Sequence, residues 1–575
     1  MINPASAKRR PVKKSGKSQA KTAITQDLSS NRRLMMVLGA VAVSIFLLSY
    51  LLRLDRVIGL MGDDGWYILL ARSLATGQGY QLINSPSPGI LPIYPPVFPF
   101  LISLAYRLWP QFPNNILLLK LVSIIAMFGA GWLTYIHFVS DRKVPRYFGL
   151  GLALATATSP AFVFLATSTV MSECVFLCGQ LATVVAIERA VRRGEKSGWR
   201  FWKNCRADSC LRGWQWTLLG GSLASFTFLT RTIGITLIMA IGLYLLKERL
   251  FPLVALFAIV VVVTASPWII YERLHEPTPE QRAEQNSYIV KGYRAQAEGM
   301  EKQQEPESYF LIKHIWRNTA WSVENHFGAL SVYPWFRAVE PAVGQGRTVN
   351  KALVSLILGI FTVIGFILAV RARATSGDLV VTLTIIVAIA WIFFSFRLFL
   401  PLAPWLFFYL AVGLQALCRT LTRRHRRKKL YTWGWASVAV WVIAGINAYG
   451  NATYISSLYG PPAGRPVWVT NFAENEATLQ WVNEHTPNDT VIATSFPALV
   501  YLYTGRKTVG FAEPASNWER WKKMGIRYSV FLSYYPLGDA GDTLKKYKLA
   551  YQSDRMKLKV VDFGDASSRV MWSGK

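Results

Sequence analysis

The sequence predicts a polytopic α-helical membrane protein of about eleven spans, with interfacial helices in its first outer loop and a small C-terminal α/β domain. Three observations predict it. Of 575 residues, 52% are hydrophobic and only 17% charged, where soluble domains carry roughly 25% charged residues. Apolar runs long enough to cross about 30 Å of hydrocarbon recur along most of the chain. Beyond Phe472 the pattern changes to short alternating strands and helices. A disordered chain and an ordinary soluble enzyme are both excluded.

The elements follow in chain order. Residues 1–33 form a tail carrying Lys8, Arg9, Arg10, Lys13, Lys14, Lys17, Lys21, Arg32 and Arg33, which should stay cytoplasmic. The run behind it is long and follows a long basic tail, so it is expected to be a retained span rather than a cleaved signal peptide. Spans are read near Leu34–Leu52, Ile116–Val139, Tyr147–Ala166, Val170–Ile187, Trp214–Thr230, Ile233–Leu246, Phe251–Tyr271, Ala352–Val370, Leu379–Phe396, Leu398–Cys418 and Trp433–Tyr449. Val97–Trp109 is too short to cross alone and is read as re-entrant.

Three apolar blocks, Tyr147–Ile187, Trp214–Leu246 and Leu379–Cys418, must be hairpins. Each holds one ionisable residue near its middle: Glu173, Arg231 and Arg397. A charge left at the bilayer centre costs about 2.5–3.5 kcal/mol, and folding the block in two moves it to a water-facing tip. The formal net charge of +31 would suit nucleic acid, but its placement excludes that partner. Arg142, Lys143, Arg146, the basic residues of 192–212, Lys247, Arg249, Arg371, Arg373 and the 419–429 run all fall on the cytoplasmic side of this count. The organisation expected is a basic tail (1–33), a transmembrane catalytic domain (34–449) with outer loops near 53–113 and 272–351, and an extracytoplasmic α/β domain (450–575).

The first outer loop opens with Gly62-Asp63-Asp64-Gly65-Trp66-Tyr67. Trp66, Leu69, Leu70 and Leu74 then mark one face of a short helix that should lie in the interface plane, Trp66 at headgroup level. Gly77 and Gly79 stop it, and a proline-rich stretch containing Tyr94-Pro95-Pro96 follows. In the second long loop a polar start gives way to an interfacial helix around Tyr309, Phe310, Trp316 and Trp321. After Phe472, Ala477–Asn483 and Trp518–Met524 read as helical, and Val491–Thr494, Thr508–Phe511 and Tyr528–Leu532 as strands. The five cysteines, Cys174, Cys178, Cys205, Cys210 and Cys418, form neither an even framework nor a paired metal motif.

One face thus collects Asp63, Asp64, Glu173, Arg231 and Arg397. A lipid-linked sugar phosphate calls for such a set, because its phosphate leaves as an anion that cations stabilise. The acceptor hydroxyl needs a base, and a carboxylate suits. Plainer readings stand beside this one. An Asp pair after a span is often merely solvated, Glu173 at a helix start complements the dipole, and Arg231 and Arg397 can anchor hairpin tips by snorkelling. Asp63, Asp64 and Glu173 are also the oxygen ligands available to a divalent cation, although no spacing compels one. The histidines show no ligand spacing.

The run Gly62–Tyr67, the stretch Ala71–Tyr80 and Tyr94-Pro95-Pro96-Val97-Phe98-Pro99 resemble the first outer loop of bacterial polyprenyl-phosphate-dependent glycosyltransferases. These are GT-C fold relatives of protein O-mannosyltransferases and aminoarabinose transferases. Thr169–Glu173 is similar to the family's second acidic position, and Leu229-Thr230-Arg231 to its "LTR" hairpin. Arg397 to Pro404 resembles its late R-x-x-x-P-x-x-P segment, and Trp481–Arg506 the outer tail domain of many members. The resemblance implies inverting transfer of a hexosyl or pentosyl group from a polyprenyl-phosphate donor to a hydroxyl of a protein, glycolipid or polysaccharide. It places the reaction at the outer face of the bacterial plasma membrane. It implies Asp63 as base or its organiser, with Asp64 and Glu173 beside it, and Tyr67 and Tyr94 in the substrate loop. Relatives often carry Lys at or just before the "YPP" tyrosine, where this chain has Pro92-Ile93-Tyr94. Donor phosphate therefore falls to Arg231, Arg397 or Arg317.

Two rivals come from other classes. A transporter or flippase would place its charges near the midplane of repeated halves, and no convincing repeat is found. A non-catalytic assembly protein would need neither the Asp pair nor the arginines.

Overall fold

The computed structural model describes residues 15–89, 94–195, 213–276, 278, 307–322, 351–390, 396–421, 433–461, 464–510, 521, 523–534 and 548–563. The apolar runs fold into helices α1 (Ser15–Leu51), α2 (Asp63–Ala75), α3 (Val97–Leu108), α4 (Ile116–Ile136), α5 (Arg146–Ala157), α6 (Pro160–Thr167) and α7 (Glu173–Glu195). Then come α8 (Trp214–Phe228), α9 (Ile235–Lys247), α10 (Phe251–Leu274), α11 (Glu307–Ser322), α12 (Lys351–Ala372), α13 (Ser376–Ala390), α14 (Ala403–Leu421) and α15 (Gly434–Tyr459). Every stretch expected to span is helical over most of its described length. Among the described residues six helices are long and apolar enough to cross by length and composition, or seven if the pair α5 and α6, bent by 47°, counts as one span. The helices α8, α9 and α13 have only 15, 13 and 15 residues, short of a full crossing each.

The core of the bundle is α7 with α14. Their apolar windows are 83% and 78% buried, against 22% for α1, 28% for α12 and 33% for α10. The outer helices turn Val37, Leu48, Ile259, Val262 and Ile360 outward, as lipid-facing surfaces do. Where α12 crosses α14 the contact is backbone to backbone: a Cβ at Gly365 would sit 1.7 Å from the Tyr409 carbonyl oxygen, so only glycine fits. The expected hairpin tips are real breaks in the helices. They fall at Ser168–Ser172, at Leu229–Gly234 and at the short turns Phe396–Leu398 and Leu400–Leu402.

A second ionic layer closes the opposite end of the bundle. Glu188 lies 15 residues beyond Glu173 on α7, about 22 Å along the axis. Its Oε1 accepts the Ser376 N–H and Oγ–H, both at 2.8 Å. Arg142 pairs with Asp378, to which Tyr409 also donates. Arg192 pairs with Asp141, and His137 Nδ1 lies 3.0 Å from the same carboxylate. Arg142 and Arg192, expected from the sequence to mark the cytoplasmic side, are thus held in ion pairs.

After α15 comes α16 (Val467–His485) and a mixed sheet of β1 (Val491–Thr494), β2 (Thr508–Gly510), β3 (Ile526–Phe531), β4 (Lys548–Gln552) and β5 (Lys559–Asp562), with α17 (Pro497–Thr504) between β1 and β2. The order is β2-β1-β3-β5-β4. The strands β2 and β3 flank β1 in parallel, and β5 adds antiparallel to β3 and β4. The α15 helix runs through residue 450, where the domain boundary was expected. The helix expected at Trp518–Met524 falls largely outside the described residues, as do Cys205, Cys210 and most of the 272–351 loop.

This unit is welded to the first outer loop. The Thr508 N–H donates to the Asn84 carbonyl at 2.7 Å, Lys507 Nζ to Ile83 at 2.7 Å, and Tyr534 OH to Ile58. One expectation is corrected here. Trp66 does not face outward as an interfacial helix would present it: it is 8% exposed, and Leu69 and Leu70 are fully buried within the protein. Tyr67, Ile68 and Ala71 extend the apolar stripe around most of α2, and a helix apolar on nearly all sides is buried. The interfacial pattern belongs instead to α3, which buries Phe98 and Ile102 and exposes Phe100, Leu104 and Leu108.

Candidate active site

Four breaks in the helices meet at one point. Asp63 begins α2, Glu173 begins α7, Arg231 lies in extended backbone between α8 and α9, and Arg397 sits in the turn before α14. Arg397 Nε donates to Glu173 Oε1 at 2.5 Å, and its Nη1 to Asp63 Oδ2 at 3.1 Å. Arg231 Nη1 reaches Glu173 Oε1 at 2.9 Å and the Ser172 hydroxyl at 3.1 Å. Burial works against the charge on Arg397, but Glu173 and Asp63 outweigh it and hold the guanidinium protonated well above its ordinary range.

Aromatic hydroxyls complete the first layer. Tyr94 OH donates to Asp63 Oδ1 at 2.9 Å, and Tyr67 OH lies 3.1 Å from Ser172 Oγ. Burial pushes the Tyr67 phenol up to about 12, so it is a neutral hydroxyl here. The two rings meet edge to face with centroids 5.2 Å apart. Backbone contacts fix the segments that carry them. Tyr80 OH donates to the Tyr94 carbonyl at 2.6 Å, the Val97 N–H to Leu229 at 3.0 Å, and Gln180 Nε2 to Pro401 at 3.1 Å.

Of the residues expected at the site, the structure brings together Asp63, Glu173, Arg231, Arg397, Tyr67 and Tyr94. Asp64 is committed elsewhere. Fully buried, it accepts the N–H of Gly59 at 2.6 Å and of Gly65 at 3.1 Å. Burial pushes its carboxyl up to about 6. Arg317 stands exposed on α11, and among the described residues the ion pairs of Asp63 and Glu173 are made by Arg231 and Arg397. Among the described residues no three His, Cys, Asp or Glu gather to hold a metal. The trio Asp63, Asp64 and Glu173 does not form one oxygen set, because Arg397 stands between two of its members and the third faces Gly59. A divalent cation does not fit there.

Sequence reasoning misses Ser172 as a shared partner, and it misses Lys120. Lys120 is fully buried, and its Nζ donates to Asp55 Oδ1 at 2.9 Å and to the carbonyls of Asp55, Val57 and Thr167 at 2.7–2.8 Å. This ammonium pins the start of the outer loop to the end of α6. A lone lysine inside an expected span was the available signal.

The chain has the fold of GT-C membrane glycosyltransferases. The chain is similar to ArnT from Cupriavidus metallidurans bound to undecaprenyl phosphate, with 14% identity and a TM-score of 0.51 over 94% of this chain and 99% of that one. It is also similar to the Archaeoglobus fulgidus oligosaccharyltransferase in the apo form, with 15% identity and a TM-score of 0.53 over 86% and 69% of the two chains. AglB from the same organism, in complex with an inhibitory peptide and a dolichol-phosphate, matches at 14% identity and a TM-score of 0.50 over 87% and 69%. No protein-family model and no curated protein matches the sequence.

Proposed function

We propose that the chain transfers a sugar from a polyprenyl-phosphate donor to an acceptor hydroxyl at the outer face of the membrane, with inversion. The observation that carries the reading is Arg397 bridging Asp63 and Glu173 beside Arg231. Similar folds hold undecaprenyl phosphate and a dolichol-phosphate, which supports a lipid-linked donor. In the reaction the acceptor oxygen attacks the anomeric carbon and its proton passes to the Asp63 carboxylate. The bond from the anomeric carbon to the phosphate oxygen breaks, and its electron pair leaves with polyprenyl phosphate. Attack opposite the leaving group inverts the centre.

The Tyr94 hydroxyl and Arg397 hold one Asp63 oxygen each, fixing the base. The Arg231 and Arg397 side chains are 18% and 23% exposed, so their planar forks can meet a phosphate while keeping the carboxylates. Glu173 cancels part of their charge and fixes both. Its buried Oε2 accepts no hydrogen bond among the described residues, leaving an acceptor site for a ligand hydroxyl.

The test incubates purified protein in lipid nanodiscs with radiolabelled polyprenyl-phosphate hexoses and pentoses and measures polyprenyl phosphate release. Release by the parent protein and none by Asp63→Asn is expected. Intact donor crossing a proteoliposome without release would make the protein a flippase and overturn the reading.

A further inference from the structure

At the end of the bundle remote from Asp63, a cavity of about 440 Å³ opens between α1, α4 and α5. Its walls include Met35, Gly39, Phe46 and Phe128, and Arg32 and Arg146 also line it. Arg32 lies at the far end of the α1 span from Tyr50, whose hydroxyl donates to the Ala157 carbonyl at the other end of α5 from Arg146. Both guanidiniums are exposed, and among the described residues neither makes an ion pair. Two unneutralised cations at the mouth of an apolar groove are what a lipid phosphate requires.

We propose that this groove binds one anionic glycerophospholipid, its phosphate held between Arg32 and Arg146 and an acyl chain running along α1. The dimensions agree. Arg32 and Phe46 are about 21 Å apart along the helix, a little more than the roughly 15 Å depth of one leaflet. The groove ends at the contact of Phe46 with Phe128, whose ring centroids are 5.6 Å apart. That length suits one acyl chain and stops short of a polyprenyl tail. The mouth also faces away from the Asp63 cluster, so the lipid is not the donor and the inference stands whether or not sugar transfer occurs.

The test titrates the full detergent-solubilised chain with phosphatidylglycerol, phosphatidylcholine and polyprenyl phosphate and reads retained lipid by native mass spectrometry. Phosphatidylglycerol should be retained over both others. The double variant Arg32→Gln/Arg146→Gln should weaken it about thirtyfold, at roughly fivefold for each basic residue near a membrane surface. That variant alters two of 63 Lys and Arg, so diffuse attraction to the chain's charge is barely changed. Gly39→Leu keeps both arginines and fills the groove, since a Cβ there meets nothing within 4 Å; it should also lower retention at an unchanged melting temperature. Equal retention of phosphatidylcholine, preference for polyprenyl phosphate, or an unchanged double variant would overturn the proposal.

Discussion

Arg397 holds Asp63 and Glu173 with one guanidinium, Nη1 3.1 Å from the first and Nε 2.5 Å from the second. The partners lie 334 and 224 residues away in the chain, so the contact closes the site across the whole fold. A planar guanidinium reaches both carboxylates with donors in a fixed fork, whereas lysine presents a compact ammonium on a flexible stem that does not hold that geometry.

Arg397→Lys should lower kcat/KM for polyprenyl phosphate release by at least about a hundredfold, the cost of losing one preorganised electrostatic contact. Arg397→Gln should also lower stability, by roughly 3 kcal/mol, because two carboxylates then face each other without their bridge. Adding Glu173→Gln removes one of those charges and should restore part of the melting temperature but no activity. Full turnover by Arg397→Lys would remove the bridge from the mechanism.

Adjacent aspartates should behave oppositely. Asp63→Asn should abolish transfer and leave the melting temperature nearly unchanged, since an amide keeps one acceptor for Tyr94. Asp64→Asn should act on stability, in a pH-dependent way. Burial raises the folded carboxyl from 3.8 to about 6, so the folded state holds its proton more tightly. The stability this contributes is complete below about pH 4 and is lost as pH rises through about 6. The parent protein should therefore lose about 2 kcal/mol relative to Asp64→Asn between pH 4 and pH 7. Melting curves of both proteins at the two pH values give that difference; a constant offset would place the Asp64 carboxyl in its ordinary range.

The legible part of this molecule was the isolated ion in an apolar run. Glu173, Arg231 and Arg397 stand out because hydrocarbon does not tolerate them, and the fold gathers all three. Spacing alone does not say which of Asp63 and Asp64 faces them, because neighbours on a helix point about 100° apart and docking decides between them; the family resemblance singles out Asp63. Trp66 reads as interfacial only while Tyr67, Ile68 and Ala71 are left out of the stripe. The strands β1, β2 and β3 were visible as apolar runs with turn residues, read at Val491–Thr494, Thr508–Phe511 and Tyr528–Leu532 and found at Val491–Thr494, Thr508–Gly510 and Ile526–Phe531. The exposed strand Lys548–Gln552 carries no alternating pattern and is defined by its pairing with β5.

Lys120 shows the same buried-ion signature in a structural role. Lys120→Met leaves Asp55, whose side chain is 12% exposed, without its cation and takes a donor from three carbonyls, of which only Thr167 keeps another among the described residues, the Asp55 N–H. The expected cost is about 3–5 kcal/mol, the range for breaking a buried pair from one side. Lys120→Met/Asp55→Asn should recover part of it. Thermal unfolding in detergent measures both, and activity per folded molecule should stay near the parent's. A silent Lys120→Met would show that the outer loop needs no such anchor.

The last prediction concerns how the C-terminal unit holds the loop that carries Asp63. Gly59 has φ +88°, and a Cβ there would lie 2.5 Å from Tyr534 OH. Its own N–H donates to Asp64 at 2.6 Å, while Tyr534 OH donates to the carbonyl of Ile58. Gly59→Ala therefore meets two obstacles, a left-handed backbone costing about 1–2 kcal/mol for an L-residue and a collision with a ring tip from another part of the chain. Tyr534→Ala removes the collision and leaves the backbone cost. Gly59→Ala should thus destabilise the parent more than it destabilises the Tyr534→Ala background, a coupling of about 1 kcal/mol or more between residues in contact. Differential melting of the four proteins measures it. Because the same turn orients Asp64 and, next to it, Asp63, Gly59→Ala should also reduce transfer per folded molecule, and Tyr534→Ala should return part of that loss. Additive melting shifts would mean that the C-terminal unit does not press on the Gly59 turn.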